Sequence, residues 1–426
     1  MNSGNRPRAF LVITGSELVR GDRADRNGPW LARELLRLGF EPARIQIVGD
    51  REEELEQALR DGLRADLCVV SGGLGPTHDD RTVELLARAA GLSLRLDDGL
   101  HGEIGDVSRR FAERTGRPYA DFEHGVRKQA TVPEGAFILG LAGTAPGLVL
   151  QTSRAVVVVL PGPPGELQRL WPFALESEPV RALLAGTQPP DRRFLRFFGT
   201  TESAVAKALA AAGGDGDGVE ATVCARDFEI HVDLLVEPGA EARADELTKG
   251  LLEPLGHYLF AETDASVAEL VLDACRDRGL TLATAESCTG GMIAERLTAV
   301  PGASDVFVGS VVAYADEVKT RELGVSRNVL AQHGAVSAET AAAMAAGVRE
   351  QLGADVAVSV TGIAGPDGGT DAKPVGLVYL HAEAPGGGRG AEFQFPGDRD
   401  SIRRRATVTA LHLVRRVLTQ NRDERG

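Results

Sequence analysis

The sequence predicts an α/β protein in three parts: a parallel-sheet domain over residues 1–175, a small α+β connector over 190–262 and a second α/β domain over 266–422. Three observations carry this reading. Short apolar runs alternate with helical patterns over residues 9–90, an unbroken apolar run at 155–160 has the character of a buried strand, and a cluster of turn-forming residues at 186–191 separates two kinds of pattern.

In the first part, 9–13 reads as a strand, 29–38 as a helix, 44–48 as a strand, 52–63 as a helix, 66–70 as a strand and 80–90 as a helix. This βαβαβα order implies a parallel sheet covered on both faces. The run Ala155-Val156-Val157-Val158-Val159-Leu160 then ends in Pro161-Gly162-Pro163-Pro164, with a helix expected from Glu166. Beyond Gly186-Thr187-Gln188-Pro189-Pro190-Asp191 the pattern becomes strand (194–198), helix (202–211), two strands (221–225, 229–236), helix (240–255) and strand (258–261). Gly213-Gly214-Asp215-Gly216 has the spacing of an RNA-binding GXXG loop, but its inner residues are small or acidic where a backbone clamp wants cations, so it reads as a turn. From Ser266 the α/β alternation resumes: helix 267–278, strand 280–285, a Gly-rich turn and helix to Thr298, strands at 306–314, 356–361 and 376–381, and a long closing helix from Ser401.

Composition narrows the function. A formal net charge of -14 repels a phosphate backbone and argues against nucleic acid as a direct ligand. The four cysteines, Cys68, Cys224, Cys275 and Cys288, form no CxxC pair, which fits a reducing, cytoplasmic setting. No apolar run reaches membrane-spanning length, and the first, 9–13, is too short for a signal-peptide core. The eight histidines show no ligand spacing, so a bound metal would rest on carboxylates. Small molecules are the expected partners, and a homo-oligomer, as a dimer, the expected assembly.

The sharpest local signal is Thr284-Ala285-Glu286-Ser287-Cys288-Thr289-Gly290-Gly291, between a strand and a helix. A hydroxyl there sits beside backbone N–H groups and the positive end of a helix dipole, which suits Ser287 as a nucleophile. The same residue types make a helix cap and a tight turn, and spacing alone favours that plainer reading. Tyr314 and Lys319 add a candidate base, provided the lysine is buried or has a cationic neighbour, with the tyrosine as a relay. Thr361-Gly362-Ile363-Ala364-Gly365-Pro366-Asp367-Gly368-Gly369 follows a buried strand and offers consecutive N–H groups to an anion, and Arg399 offers a guanidinium.

The first domain has its own anion-binding turn, Ser71-Gly72-Gly73-Leu74-Gly75-Pro76-Thr77-His78-Asp79-Asp80, which fits neither GxGxxG nor GxxxxGK[ST]. Its glycine N–H groups suit a phosphate, and Asp79 and Asp80 suit a divalent cation. On spacing alone a helix N-terminus complemented by carboxylates is an equal reading.

Taken together, Ala285–Gly291, Val300-Pro301-Gly302-Ala303-Ser304, Gly334-Ala335-Val336-Ser337, Thr361–Gly369 and Lys373-Pro374-Val375-Gly376 resemble the C-terminal domain of the CinA family. Thr14-Gly15-Ser16-Glu17-Leu18, Gly21-Asp22, Asp25-Arg26-Asn27, Gly72–Asp80, Lys128-Gln129-Ala130, Gly143-Thr144-Ala145-Pro146-Gly147 and Leu160–Pro164 resemble its first domain, itself similar to molybdopterin-binding proteins. The resemblance implies deamidation of nicotinamide mononucleotide by the C-terminal domain, with Ser287 as nucleophile, Lys319 and Tyr314 activating it, no cofactor, and Thr289, Gly290, Thr361, Gly362, Gly365 and Arg399 around the substrate. It implies metal-dependent ADP-ribose pyrophosphatase activity for the first domain, with Thr14, Gly15, Glu17, Gly72, Gly73, Gly75, Thr77, Lys128 and Thr144 on the substrate and Asp79 and Asp80 on the metal. Asp316 stands where relatives often carry Asn, placing a carboxylate three residues from Lys319. His124-Gly125-Val126-Arg127 departs from the relatives' pattern, which weakens any substrate contact from that loop. Two other functions fit the same residues: a molybdopterin-binding module of cofactor synthesis, and a non-catalytic interaction protein of competence or DNA-damage responses.

Overall fold

The computed structural model describes residues 6–423, so the opening Met1–Gly4 stretch lies outside the described residues. By its contacts the chain divides into two compact units, one of Met1–Arg192, Gly216–Glu220 and Leu235–Ala244, the other of Arg193–Asp215, Ala221–Leu234 and Asp245–Gly426.

The first unit runs β1 (Arg8–Thr14), α1 (Ser16–Val19), α2 (Asn27–Arg37), β2 (Glu41–Val48), α3 (Glu52–Gly62), β3 (Leu67–Ser71), α4 (Thr82–Ala90), β4 (Leu94–Leu96), α5 (Asp98–Thr115), α6 (Ala120–Gln129), β5 (Thr131–Pro133), β6 (Phe137–Leu141), β7 (Pro146–Gln151), β8 (Val156–Leu160), α7 (Pro164–Glu176) and α8 (Glu178–Leu184). Its main sheet has the order β2-β1-β3-β8-β7-β6. The strands β2, β1, β3 and β8 are parallel, as the βαβ alternation requires, but β7 and β6 pair antiparallel, so the sheet is mixed rather than wholly parallel. Alternation along the strands sorts the core into two layers. Val12, Val70, Val157 and Val159 face Leu55 and Leu59 of α3 and Leu85 of α4. Leu11, Ile13, Val69 and Val158 face Leu31 and Leu35 of α2 and Leu167 and Trp171 of α7.

The second unit carries β9 (Asp191–Phe197), α9 (Glu202–Ala211), β10 (Val219–Arg226), β11 (Glu229–Val236), α10 (Glu241–Leu255), β12 (Leu259–Ala261), α11 (Val267–Arg276), β13 (Leu282–Glu286), α12 (Met292–Thr298), β14 (Phe307–Val312), α13 (Asp316–Leu323), α14 (Arg327–His333), α15 (Ala338–Leu352), β15 (Val356–Gly362), β16 (Leu377–Ala384), β17 (Gly387–Gln394) and α16 (Arg399–Asp423), with the ends of β9, β10, β11 and α10 grouped with the first unit. Its five-stranded sheet has the order β14-β13-β15-β16-β17, parallel through β14, β13 and β15 and antiparallel beyond. One face packs α11 and α16 on Val356, Val358 and Val360, and the other packs Met344 and Val348 of α15 on Ala283, Ala285 and Ala357.

The residues of the connector expected at 190–262 are divided between the two units. Its four-stranded sheet, β10-β11-β9-β12, is tied to α16 by a buried histidine. His412 stacks on Phe198 with ring centroids 3.7 Å apart and meets Phe260 edge-on at 4.7 Å. Its Nε2 donates to Glu229 Oε1 at 2.7 Å. The hairpin between β10 and β11 places Asp227 and Phe228 in the left-handed region, at φ 50° and 66°, with the Arg405 guanidinium 4.2 Å above the Phe228 ring.

Candidate functional site

Ligand sites in open α/β sheets form outside the carboxyl ends of the parallel strands. In the second unit those ends belong to β13, β14 and β15, and the sequence-predicted residues follow them directly. Ser287 is the residue after β13, Tyr314 lies two residues beyond β14, and Thr361 and Gly362 close β15. Parallel pairing sets Glu286 beside Val360, and the Ser287 N–H donates to Val360 O at 2.9 Å.

Ser287, Tyr314, Lys319, Thr361, Gly362 and Arg399 line one cavity of about 190 Å³. Lys319 is only 1% exposed, which meets the burial its role demands. Its Nζ donates to Tyr314 O at 3.3 Å and to Asp316 Oδ1 at 3.2 Å, so the carboxylate foreseen beside it is in contact. Arg399 joins two walls, donating from Nη2 to the Tyr314 hydroxyl at 2.9 Å and from Nη1 to Gly365 O at 2.6 Å. That leaves the phenol oxygen acting as acceptor toward Arg399, with its own proton available to the cavity. Thr361 Oγ1 donates to Ala335 O at 2.6 Å, bringing in the 335–336 segment as a further wall. Burial pushes the Cys288 thiol up to about 12, so the neighbour of Ser287 is held as a neutral thiol.

Three expectations for this site change. Thr289 is fully buried and lines no part of the cavity, and Gly290 and Gly365 lie outside its lining, Gly365 serving only as a carbonyl for Arg399. The N–H groups at the start of α12 are also not free: those of Gly291, Ile293 and Ala294 all donate to the Glu286 carboxylate. Asp316, singled out for its charge beside Lys319, also lines the cavity, whereas Ala335, Val336 and Ala364 are lining residues whose types do not distinguish them from ordinary loop residues.

In the first unit, β3 leads into the turn at Gly72 and Gly73, with φ 106° and 65°. Glycine is required there for a second reason: a Cβ on Gly72 would lie 2.6 Å from Thr14 O, and one on Gly73 would overlap Thr82 Oγ1. Thr14, Gly15, Glu17, Gly72, Gly73, Asp79 and Asp80 line a cavity of about 720 Å³. Gly75, Lys128 and Thr144 line two smaller cavities, of about 260 and 290 Å³, which share Gly73 and Asp80 with the large one. Thr77 lines none of the three. Its hydroxyl instead bridges the two carboxylates, donating to Asp80 Oδ2 at 2.6 Å and contacting Asp79 Oδ1. The Thr77 hydroxyl holds Asp79 below the usual carboxylate range, and burial lowers Lys128 against the pull of Asp80 and Asp79.

Arg23, Asp25, Arg26, Asn27 and Asp50 also line the large cavity. Asn27 is buried and donates to Ser71 Oγ at 2.9 Å and Gly162 O at 2.7 Å, joining three loops. The sequence does not single out Asp50, although it stands two residues past the carboxyl end of the parallel strand β2, where ligand sites form. Among the described residues no three His, Cys, Asp or Glu side chains gather to hold a metal ion. Asp79 and Asp80 supply two carboxylates, so a cation held there would complete its shell with phosphate oxygens and water, the pattern of a hard, hydrated ion.

A family model described as "CinA C-terminal domain" matches residues 264–418, and one described as "Probable molybdopterin binding domain" matches 10–179. A CinA-like protein of Mycobacterium tuberculosis is 44% identical over 422 residues, covering 97% of each chain. The chain belongs to the CinA family. Another CinA-like protein, from Mycolicibacterium paratuberculosis, is 43% identical over 431 residues, 97% of this chain and 98% of its own. The crystal structure of the competence/damage inducible protein CihA from Agrobacterium tumefaciens is 39% identical, with 38% of this chain and 100% of that chain covered at a TM-score of 0.35. The CinA C-terminal match spans every residue lining the 190 Å³ cavity, and the molybdopterin-domain match spans the whole lining of the 720 Å³ cavity. Among the described residues no helix is long and apolar enough to cross a membrane.

Proposed function

We propose that the second unit deamidates nicotinamide mononucleotide. The observation that carries this reading is the meeting of Ser287 with a buried Lys319 in one small cavity at the carboxyl ends of parallel strands. Ser287 Oγ attacks the carboxamide carbon as its proton passes to Lys319, with the Tyr314 hydroxyl between or beside them. The tetrahedral carbon collapses by expelling the amide nitrogen, which takes the proton and leaves as ammonia. Water, deprotonated by the same base, hydrolyses the acyl-serine to nicotinate mononucleotide and free Ser287. Incubating the protein with nicotinamide mononucleotide should raise the nicotinate mononucleotide signal by mass, and Ser287→Ala should remove it. Wild-type protein that leaves the substrate intact would end this reading.

For the first unit the same proposal assigns hydrolysis of ADP-ribose at its diphosphate. The supporting feature is the Gly72–Asp80 turn, where backbone N–H groups and two adjacent carboxylates border a cavity large enough for a nucleotide. A divalent cation held by Asp79 and Asp80 would neutralise charge on the leaving phosphate. Thr77 contacts both carboxylates, and Gly72 and Gly73 let the turn lie close against Thr14 and Thr82 at the cavity's edge. EDTA and Asp80→Asn should both suppress this hydrolysis while leaving deamidation intact. The molybdopterin-domain match favours one other occupant of this cavity, a pterin. Pterin fluorescence copurifying with the protein, together with no ADP-ribose hydrolysis, would select it.

A further inference from the structure

The first turn of a helix leaves N–H groups that need partners, normally supplied by a side chain at the N-cap. The N-cap of α12 is Gly291, which has no side chain to give. Its partner comes from five residues upstream. Glu286, the last residue of β13, is fully buried, and its Oε2 accepts the N–H groups of Gly291 at 2.9 Å and Ile293 at 3.1 Å while Oε1 accepts that of Ala294 at 2.9 Å.

Glu286 is itself fixed, because its backbone pairs with Val312 on one side and Val360 on the other. The carboxylate therefore fastens the end of a central strand to the start of the following helix, and Ser287 lies in the loop so closed. From the opposite side α16 grips the same loop by its carbonyls: Arg403 donates from Nε to Cys288 O at 3.0 Å and from Nη2 to Thr289 O at 2.8 Å. An anion at a helix start would otherwise come from a ligand. Here the chain supplies its own, so these N–H groups do not serve an oxyanion of the substrate.

We infer that Glu286 is the positioning residue of the nucleophile: it lies outside the lining of the 190 Å³ cavity, but its three N–H contacts set where Ser287 Oγ stands. This rests on Ser287 being the nucleophile. A misplacement of about 1 Å at a reacting atom costs on the order of a hundredfold in rate. The test is Glu286→Gln in the full chain, which keeps size and one acceptor oxygen but turns an NH₂ toward the N–H groups. Two rates are read: deamidation of nicotinamide mononucleotide, and covalent labelling of Ser287 by a fluorophosphonate probe. Both should fall by about tenfold or more, with KM within about threefold and Tm within about 5 °C. Glu286→Asp, which restores a carboxylate, should recover part of the labelling rate that Glu286→Ala loses. Labelling at the wild-type rate in Glu286→Gln would overturn the inference, as would a loss that only follows the fraction of unfolded protein. If the wild type labels at Ser287 yet leaves the nucleotide intact, the deamidase reading fails while the labelling comparison still decides Glu286.

Discussion

At the scale of single residues, the decisive contrast is between Ser287 and Cys288. A thiolate is the better nucleophile in principle, but burial pushes the Cys288 thiol up to about 12, so almost none is ionised near neutral pH. Ser287→Ala should therefore cut kcat by about a thousandfold or more, whereas Cys288→Ser should stay within about tenfold of wild type. The reverse order in a side-by-side assay would move the reaction to the cysteine. Much of this site is legible in the sequence: Ser287, Tyr314, Lys319, Thr361, Gly362 and Arg399 meet in one cavity. Thr289 and Gly290 stand apart from it because a motif gives order along the chain and not the direction of a side chain. Thr289 points into the protein, and Gly290 lies against Arg403.

At the scale of elements, Lys319 rides on α13, whose distance from α15 is set by one glycine. A Cβ on Gly347 would lie 2.7 Å from the carbonyl carbon of Leu323, the last residue of α13, and closer still to its oxygen. Gly347→Ala must push the helices apart, costing about 1–3 kcal/mol and displacing Lys319, so kcat should fall with little change in KM. A variant with wild-type Tm and kcat would show that α13 has slack. The elements of the first ninety residues and of the central strands are readable because parallel strands buried on both faces are continuous apolar runs, such as Val156–Leu160. The sequence pattern leaves α5, α6, α8, α13 to α15 and β4 to β7 unassigned, and misses β17. The last reads Gly-Gly-Arg-Gly-Ala-Glu-Phe-Gln, an exposed edge whose pairing with β16, and not its own side chains, makes it a strand.

At the scale of the whole molecule, Glu229 and His412 link stability to pH. Burial pushes His412 below its ordinary 6.5 despite the pull of Glu229. Burial raises Glu229, but hydrogen bonds from His231 and His412 outweigh it and leave the group below 4.5. In both cases the unfolded chain takes up its proton at a higher pH than the folded one, so stability is lost as pH falls, first below about 6.5 through the histidine and then below about 4.5 through the carboxylate. Tm should drop by about 3 °C or more between pH of roughly 7.5 and 5.5, and His412→Gln should flatten that slope. Equal slopes would remove this pair from the acid response. The residues lining the 190 Å³ cavity all lie between Ser287 and Arg399. A fragment of residues 266–426 should then deamidate nicotinamide mononucleotide but melt at lower temperature, having lost Phe198, Glu229 and Phe260 from around His412. A folded yet inactive fragment would show that the site needs residues from outside that span.

The same pair bears on how the chain is made. Glu229 precedes its partner His412 by 183 residues, and Phe228 waits equally for Arg405 of the same helix to cover its left-handed turn. At translation speeds of about 5–20 residues per second, roughly 10–40 s separate the emergence of the two halves from the ribosome. Through that interval the hairpin carries an acid matched only by His231 of its own strand and an uncovered ring, so the second unit closes only when α16 arrives, and nascent chains stalled before that helix should be the ones proteases and chaperones find.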